Sequence, residues 1–419
     1  MKSNRWLILI ILILAGIIFM LATLLEQGEP KPASGYMPPT RVEEDSRNEI
    51  PEYEPGVIPG EVLAVEERLL EPTFPVSLKY DKYLTTYTYL FIERESVNIR
   101  SGPSVTDSVL REAGYGERLD YLESVYIAAE DGKTEQWLHV TWEADDERQF
   151  GFVNSDVITE RLYQFDKMEE AIKKAEAYAE MGGLTYISNY QNRKGYAPLY
   201  KGGTVDEEGN RRSQSAPAYT SLSEKENFRY LGDGTLVRYL FPSGDYARIE
   251  EVQTGERFYV PLKYVPKDQG IHDLTQVIVI DVTNQNEGVY EKVSGDWTLI
   301  SYTQATTGTT GRYSQPTPVG YYFGIESRPH FRYYEDGTTR IQGYAPFAIR
   351  FSGGAYVHGV PVNYKYNADG TLITPPTQEY SKTIGTVPLS HKCVRNYTSH
   401  AKFLYDWFTP GETIVIVID

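Results

Sequence analysis

Hydrophobic and polar residues along the chain follow a pattern that predicts mainly short β-strands. Apolar runs such as 276–281 and 297–300 are rich in β-branched and aromatic residues and are bounded by turn residues. Such runs suit strands that are buried in a sheet rather than long helices. We therefore expect an all-β fold in the main.

One segment departs from this pattern and predicts a soluble helix. Residues 166–179 carry an apolar stripe at helical spacing, and two consecutive glycines at 182–183 follow it. Glu169 and Lys173 are four residues apart in the favourable order, which predicts that both lie on the solvated face. We expect a connector helix within 163–183.

The N-terminus predicts a membrane anchor. Residues 6–25 contain no charge, and at about 1.5 Å per residue a helix of this length matches a hydrocarbon core of about 30 Å. Lys2 and Arg5 precede this run, which places the short tail in the cytoplasm and exports the remainder. A cleaved signal peptide is the alternative, but its apolar region is usually only about 7–15 residues long. We therefore expect residues 1–25 to be a cytoplasmic tail and single-pass transmembrane helix in the cell membrane.

The next segment has the composition of a tether. Residues 26–86 begin with a stretch rich in proline, glutamate and glycine that offers little apolar surface for a core. The sequence predicts a flexible extracytoplasmic linker here.

Composition then narrows the classes of function. The chain has 419 residues, with 58 acidic against 41 basic residues and a net charge of −17. This balance opposes binding to nucleic acid, because long-range repulsion disfavours a polyanion. A single cysteine excludes an intramolecular disulfide framework, and the C-x-x-C and H-E-x-x-H signatures of zinc sites are missing. The cysteine chemistry described below needs no metal or organic cofactor, so none is expected.

Two segments ahead of the C-terminal region predict small barrels. The first covers 87–162 and contains the stretch V-N-I-R-S-G-P-S at 97–104, by which it resembles the bacterial SH3 type domain of exported wall proteins. A weaker repeat of the same strand and turn pattern predicts a second SH3-like domain at 184–268. The resemblance implies binding to wall peptides; a spacer that binds nothing is the alternative.

The candidate chemistry lies near the C-terminus. Cys393 is the one cysteine, and His391 and Lys392 precede it, where cationic neighbours would favour the thiolate. His358 follows a β-prone run and would be held at a strand end. Cysteine and histidine are the minimum pair for nucleophilic acyl transfer, and the backbone N–H groups of Lys392 and Cys393 could stabilise the oxyanion. A buried, inert cysteine is the alternative, whereas a serine hydrolase lacks its G-x-S-x-G elbow.

Three motifs in order connect these residues to a known family. They are P-T-P-V-G at 316–320, Y-V-H-G-V-P at 356–361 and S-H-K-C-V-R-N at 390–396. Together they make 275–419 resemble the L,D-transpeptidase catalytic domain of enzymes that cross-link bacterial peptidoglycan. The resemblance implies a β-sandwich-like fold, preceded here by one or two SH3-like barrels.

The resemblance also implies roles for individual residues. Cys393 corresponds to the nucleophile and His358 to the general base, with Gly359 orienting the imidazole through its carbonyl. Ser390 and His391 correspond to the motif residues beside the thiol. Substrate binding is expected from three residues: Arg395, Asn396 and Tyr356. A surface ion pair is the alternative role for Arg395, and a structural hydrogen bond the alternative for His358.

The implied reaction joins two peptidoglycan stem peptides. Cys393 would attack the amide between the third residue and D-alanine, and an amine of a second stem would resolve the thioester. A carbapenem would acylate the same thiol. Water as the acceptor would instead give an L,D-carboxypeptidase.

The usual motif is S-H-G-C, so Lys392 replaces a glycine, which could disturb the geometry that stabilises the oxyanion. A wall-binding protein without catalysis is therefore the third alternative. The 362–382 insertion contains a predicted hairpin turn at 367–370 and could form a lid.

Overall fold

The computed structural model describes residues 60–66, 71–129, 133–144, 147–373, 377–378 (backbone only) and 383–419. The chain divides into two compact units, 1–35 and 36–419, and every described residue belongs to the second. The predicted transmembrane helix at 6–25 and most of the predicted linker lie outside the described residues. In the described part of the chain, no helix is both long and apolar enough to cross a membrane.

The described residues form mainly strands, as the sequence pattern predicts. The strands are β1 Val62–Glu66, β2 Thr88–Phe91, β3 Ser96–Arg100, β4 Val109–Gly114, β5 Arg118–Ala128, β6 Thr134–Ala144, β7 Glu147–Asn154, β8 Thr159–Leu162, β9 Leu184–Tyr186, β10 Ser215–Tyr219, β11 Phe228–Gly232, β12 Leu236–Ser243, β13 Tyr246–Glu251, β14 Arg257–Pro261, β15 Gln276–Asp281, β16 Asn286–Val293, β17 Asp296–Gln304, β18 Gly320–Phe323, β19 Glu326–Tyr334, β20 Ile341–Ser352, β21 Ala355–His358, β22 Val362–Asn363, β23 Thr377–Gln378, β24 Val394–Arg395 and β25 Thr413–Ile418. The α-helices are α1 Phe165–Glu180 and α2 Thr398–Trp407, and short 3₁₀ turns occur at Ser155–Val157, Tyr190–Asn192, Arg212–Gln214 and Leu262–Tyr264.

Two antiparallel sheets precede the C-terminal region. The first sheet contains β1–β8 in the order β4-β3-β7-β6-β5-β2-β8, with β1 paired to β5. The second sheet contains β9–β14 in the order β11-β10-β14-β13-β12-β9. The strands of each sheet fall in the segments for which barrels were predicted, apart from β1.

The segment 26–86 was predicted to be a flexible linker, but its described residues are packed against the rest of the protein. β1 lies within that span and pairs with β5, and residues 71–86 pack on the C-terminal region. Tyr83 stacks on Tyr397 with ring centroids 3.8 Å apart, and the Tyr80 hydroxyl lies 2.8 Å from Ser399 Oγ. Burial of these aromatic rings opposes the entropy cost of ordering the segment.

Helix α1 lies within the segment 163–183 for which a connector helix was predicted, but its solvated face is smaller than expected. Glu169 is buried, because its carboxylate accepts hydrogen bonds from the Thr73 hydroxyl and from the Phe74 N–H at 3.0 Å. The predicted exposure of Glu169 is therefore wrong: the preceding chain segment covers that turn of the helix.

The C-terminal region is a sandwich of two sheets. One sheet has the order β17-β16-β15-β25-β18, with β15 and β25 parallel, and the other contains β19–β24. Alternate residues of β15 and β25 face the second sheet and α2, where Ile278, Val415 and Phe351 share a core. The β-sandwich-like expectation for this region agrees with the structure.

The opposite face of the same sheet is also buried. Val277 and Ile416 pack with Met168 of α1, Tyr89 of the first sheet and Leu236 of the second sheet in one continuous core. Burial on both faces explains why β15 and β25 read as unbroken apolar runs. The three regions thus share a core rather than standing apart as separate modules.

Candidate active site

Two short parallel strands bring the predicted catalytic residues together. β21 pairs with β24 so that Val357 lies beside Val394 and His358 beside Arg395. Continuing this register by one residue places Cys393 beside Tyr356, with which it shares a small apolar cluster. Because side chains alternate along a strand, His358 and Cys393 project from the same face of the two strands.

His358 is fixed as a neutral base. Its Nδ1 lies 2.7 Å from the Gly359 carbonyl oxygen. A carbonyl can only accept, so Nδ1 carries the proton and Nε2 has a free lone pair. Burial lowers the pKa of His358 to about 4, and the positive charge of Arg395 acts in the same direction. The imidazole is therefore uncharged near neutral pH and can take a proton.

Cys393 is mostly buried and protonated at rest. The residue as a whole retains 9% exposure. Burial raises the pKa of the thiol, while the Tyr356 N–H and the positive charges of Arg395 and Lys392 oppose that rise. The Sγ–H donates to the Gly354 carbonyl oxygen at 3.8 Å. A protonated thiol and a neutral imidazole on one strand face suit proton transfer during attack rather than a resting ion pair.

Lys392 has a backbone conformation that ordinarily requires glycine. Its φ is 133°, inside the region that side chains disfavour. The neighbouring chain approaches it closely, since a Cβ at Gly308 would lie 2.7 Å from Lys392 Cα. The Lys392 N–H, predicted to stabilise an oxyanion, donates here to Ser390 Oγ at 3.3 Å. Burial lowers the pKa of the Lys392 ammonium.

Hydroxyl groups hold the turn before Cys393. The Ser390 hydroxyl donates to the Cys393 carbonyl oxygen, and Thr317 Oγ1 donates to the Lys392 carbonyl oxygen at 3.0 Å. His391 faces the opposite way: it is exposed and its Nε2 lies 3.1 Å from Asp336 Oδ2. Ser390 therefore supports the turn, whereas the His391 side chain is not brought to the thiol.

The three predicted substrate-binding residues differ in position. Arg395 lies beside His358, and its Nε has no hydrogen-bond partner among the described residues. Tyr356 is fully buried and stacks on Phe331 with centroids 4.0 Å apart. Asn396 is fully buried and donates to Glu287 Oε2 at 3.3 Å, which is a structural contact.

Two groups at the site were not identified from the sequence. Gly354 contributes the carbonyl that faces the thiol, and Thr317 contributes the hydroxyl that holds the Lys392 carbonyl. The sequence features that could have indicated these two groups are the paired glycines at 353–354 and the threonine of the P-T-P motif. Among the described residues, no group of three His, Cys, Asp or Glu side chains is placed to hold a metal ion.

Comparison with known proteins identifies the region that carries this site. Residues 275–417 match the family model YkuD, the L,D-transpeptidase catalytic domain. The match includes both His358 and Cys393. No curated protein was found to match the sequence.

Several solved structures are similar to part of the chain. A fused Zn-dependent amidase/peptidase/peptidoglycan-binding domain-containing protein from Clostridium acetobutylicum ATCC 824 is 19% identical over 34% of this chain and 52% of its own, with a TM-score of 0.24. An L,D-transpeptidase from Mycobacterium smegmatis is 16% identical over 43% of this chain and 69% of its own, with a TM-score of 0.26. The L,D-transpeptidase LdtMt1, in complex with imipenem, is 17% identical over 43% and 82%, with a TM-score of 0.26. The chain thus spans about half the length of the first of these proteins.

Proposed function

We propose, from the L,D-transpeptidase catalytic domain at residues 275–417, that this protein cross-links peptidoglycan stem peptides through a thioester on Cys393. One observation carries the assignment within that domain. The Gly359 carbonyl holds the Nδ1 proton of His358, which leaves Nε2 free on the strand face that also bears the chain's one cysteine.

The acylation step uses these two side chains. His358 Nε2 takes the Sγ proton as Cys393 attacks the carbonyl carbon of the third stem residue. The carbon–nitrogen bond to D-alanine then breaks, and the imidazolium gives its proton to the leaving amine. The product is a thioester between Cys393 and the tripeptide stem.

The second step restores the enzyme. An amine of a neighbouring stem attacks the thioester carbonyl, and His358 takes a proton from that amine. The carbon–sulfur bond breaks and the thiolate is reprotonated. Arg395 lies beside the base and has an unpartnered guanidinium nitrogen, so we assign it to positioning a substrate carboxylate or carbonyl.

A mass-spectrometric assay tests the proposal. The full-length protein is incubated with a disaccharide-tetrapeptide, and the products are compared with those of Cys393→Ala and His358→Gln. His139→Gln, in the first sheet, is the matched control and should behave like the parent. Cross-linked dimer with released D-alanine supports the proposal. Tripeptide alone would establish the carboxypeptidase, and no product would favour wall binding without catalysis.

A carbapenem provides a second test of the nucleophile. The strained β-lactam carbonyl should acylate the thiol and add the mass of imipenem to the parent protein. Cys393→Ala should gain no mass. Equal labelling of both proteins would overturn the assignment of Cys393.

We also propose where the protein works. Residues 6–25 would anchor it in the cell membrane as a single span, with 26–419 on the extracytoplasmic side and the 87–162 and 184–268 segments acting as SH3-like wall-binding domains. Lys2 and Arg5, followed by the uncharged run, support this orientation. Membrane fractionation with added protease provides the test: release of the catalytic region from intact cells by mild proteolysis is expected, and full protection would contradict the orientation.

A further inference from the structure

The β20–β21 turn and the start of β21 carry two backbone groups that contact the sulfur of Cys393. The Gly354 carbonyl accepts from Sγ–H at 3.8 Å. The Tyr356 N–H, two residues later, bonds the sulfur and lowers the pKa of the thiol. The placement of this turn therefore sets the hydrogen bonds of the nucleophile.

The second sheet holds this turn through Asp233, which lies between β11 and β12. The Asp233 carbonyl oxygen accepts from the Gly353 N–H at 3.1 Å. Its carboxylate Oδ2 lies 2.6 Å from Arg350 Nη1, and Arg350 Nη1 also donates to the Gly353 carbonyl oxygen at 3.2 Å. Asp233 thus fixes the turn twice, once by its main chain and once through Arg350.

The ion pair is buried, and both of its members make further hydrogen bonds. The side chains of Asp233 and Arg350 are 2% and 7% exposed. The second carboxylate oxygen of Asp233 accepts from the Asn189 N–H at 2.7 Å, and Arg350 Nε donates to Glu326 Oε1 at 2.8 Å. Buried pairs with satisfied partners fix geometry more than they add stability.

Steric contacts between the second sheet and the turn reinforce this placement. Gly353 has a φ of 53°, and a Cβ there would overlap the Gln214 side chain. A Cβ at Gly234 would overlap the Phe351 carbonyl oxygen. The turn therefore has little room to shift relative to the second sheet.

We propose that Asp233 is a positioning residue for Cys393, so that the second sheet is part of the catalytic apparatus. The inference rests on the proposed function, in which Cys393 is the nucleophile. Asp233 acts through Arg350 and the 353–354 turn and does not touch the reacting atoms.

Alkylation of the single cysteine by iodoacetamide tests the inference in the full-length protein. Its rate is measured from pH 6 to 10 by mass spectrometry for Asp233→Asn and for Gln214→Ala, which loosens the turn without leaving a buried charge. Asp245→Asn is the matched control, because Asp245 is exposed in the turn between β12 and β13 of the second sheet. Circular dichroism and the melting temperature establish that each variant is folded.

We expect Asp233→Asn to weaken the Tyr356 N–H contact and so raise the thiol pKa by about one unit, which is about a tenfold slower alkylation at pH 8. Gln214→Ala should slow it about threefold, corresponding to about half a unit. Asp245→Asn should match the parent.

Profiles of both folded variants that superimpose on the parent would overturn the inference, even with lowered melting temperatures. If Asp233→Asn does not fold, Gln214→Ala decides alone. Because alkylation needs no stem peptide, this result is independent of whether the parent forms cross-links, so the two proposals can fail separately.

Discussion

Alanine usually stabilises a protein more than glycine does at the same position, but at position 392 we expect the opposite. Lys392 has a φ of 133°, and a non-glycine residue held in such a sparsely populated region costs about 1–3 kcal/mol. Glycine removes that cost but loses about 0.5–1 kcal/mol more than alanine through the entropy of the unfolded chain. Both variants lose the lysine side chain, so its packing cancels in the comparison.

The net difference favours Lys392→Gly over Lys392→Ala by about 0.5–2 kcal/mol. In a chain of this size about 1 kcal/mol moves the melting temperature by roughly 1 °C, so the glycine variant should melt about 0.5–2 °C higher. Scanning calorimetry of both variants in one buffer measures this difference. A Lys392→Ala protein that melts at the same temperature or higher would refute the argument from backbone strain.

Reactivity should respond differently from stability. The Lys392 ammonium lowers the pKa of the Cys393 thiol, and both variants remove it. Their alkylation rates at pH 8 should therefore fall below that of the parent by the same factor. A glycine variant that is more stable yet less reactive would separate the two effects of this side chain.

The pH dependence follows from His358, whose pKa burial lowers to about 4. In the unfolded chain this histidine binds a proton near pH 6.5. The free energy of unfolding should therefore be highest above that pH and should fall by about 3 kcal/mol as the pH drops to 4, which melting curves measure. The rate of reaction should fall on the acid side near pH 4, and initial rates that fall near pH 6.5 instead would contradict the burial of His358. Gly308→Ala should destabilise the protein and abolish acylation, because the new Cβ would lie 2.7 Å from Lys392 Cα and 2.8 Å from Thr317 N. A variant that melts and takes up imipenem like the parent would show that the close contact between Gly308 and Lys392 is not required.

Local pattern predicted the strands and the region of the site because both depend on nearby residues. The apolar run at β15 appears in the structure as a strand buried on both faces. The motif containing His358 and the motif containing Cys393 end on adjacent parallel strands. Each motif includes or adjoins its own strand, so the candidate residues and the order of the strands could be predicted from the sequence.

Contacts over long sequence separations could not be read in the same way. Glu169 has the spacing of a solvated helix position, yet Thr73 and Phe74, almost a hundred residues earlier, cover it. His391 is next but one to Cys393 in sequence, yet it pairs with Asp336 at the surface. The direction of the His391 side chain could not be inferred from its position in the sequence, because Lys392, between His391 and Cys393, has an unusual φ.

The shared core changes how the non-catalytic segments are interpreted. A barrel joined by a flexible connector could be removed without affecting the chemistry, since its core would be its own. Here Tyr89, Leu236 and Met168 enter one core with Val277 of the catalytic region. Removing either preceding sheet would expose the apolar face of the sheet that supports the site. The second sheet also supplies Asp233, whose carboxylate and carbonyl hold the turn that faces Cys393. The smallest unit able to present Cys393 in this geometry therefore includes the second sheet and extends beyond the residues that match the catalytic family.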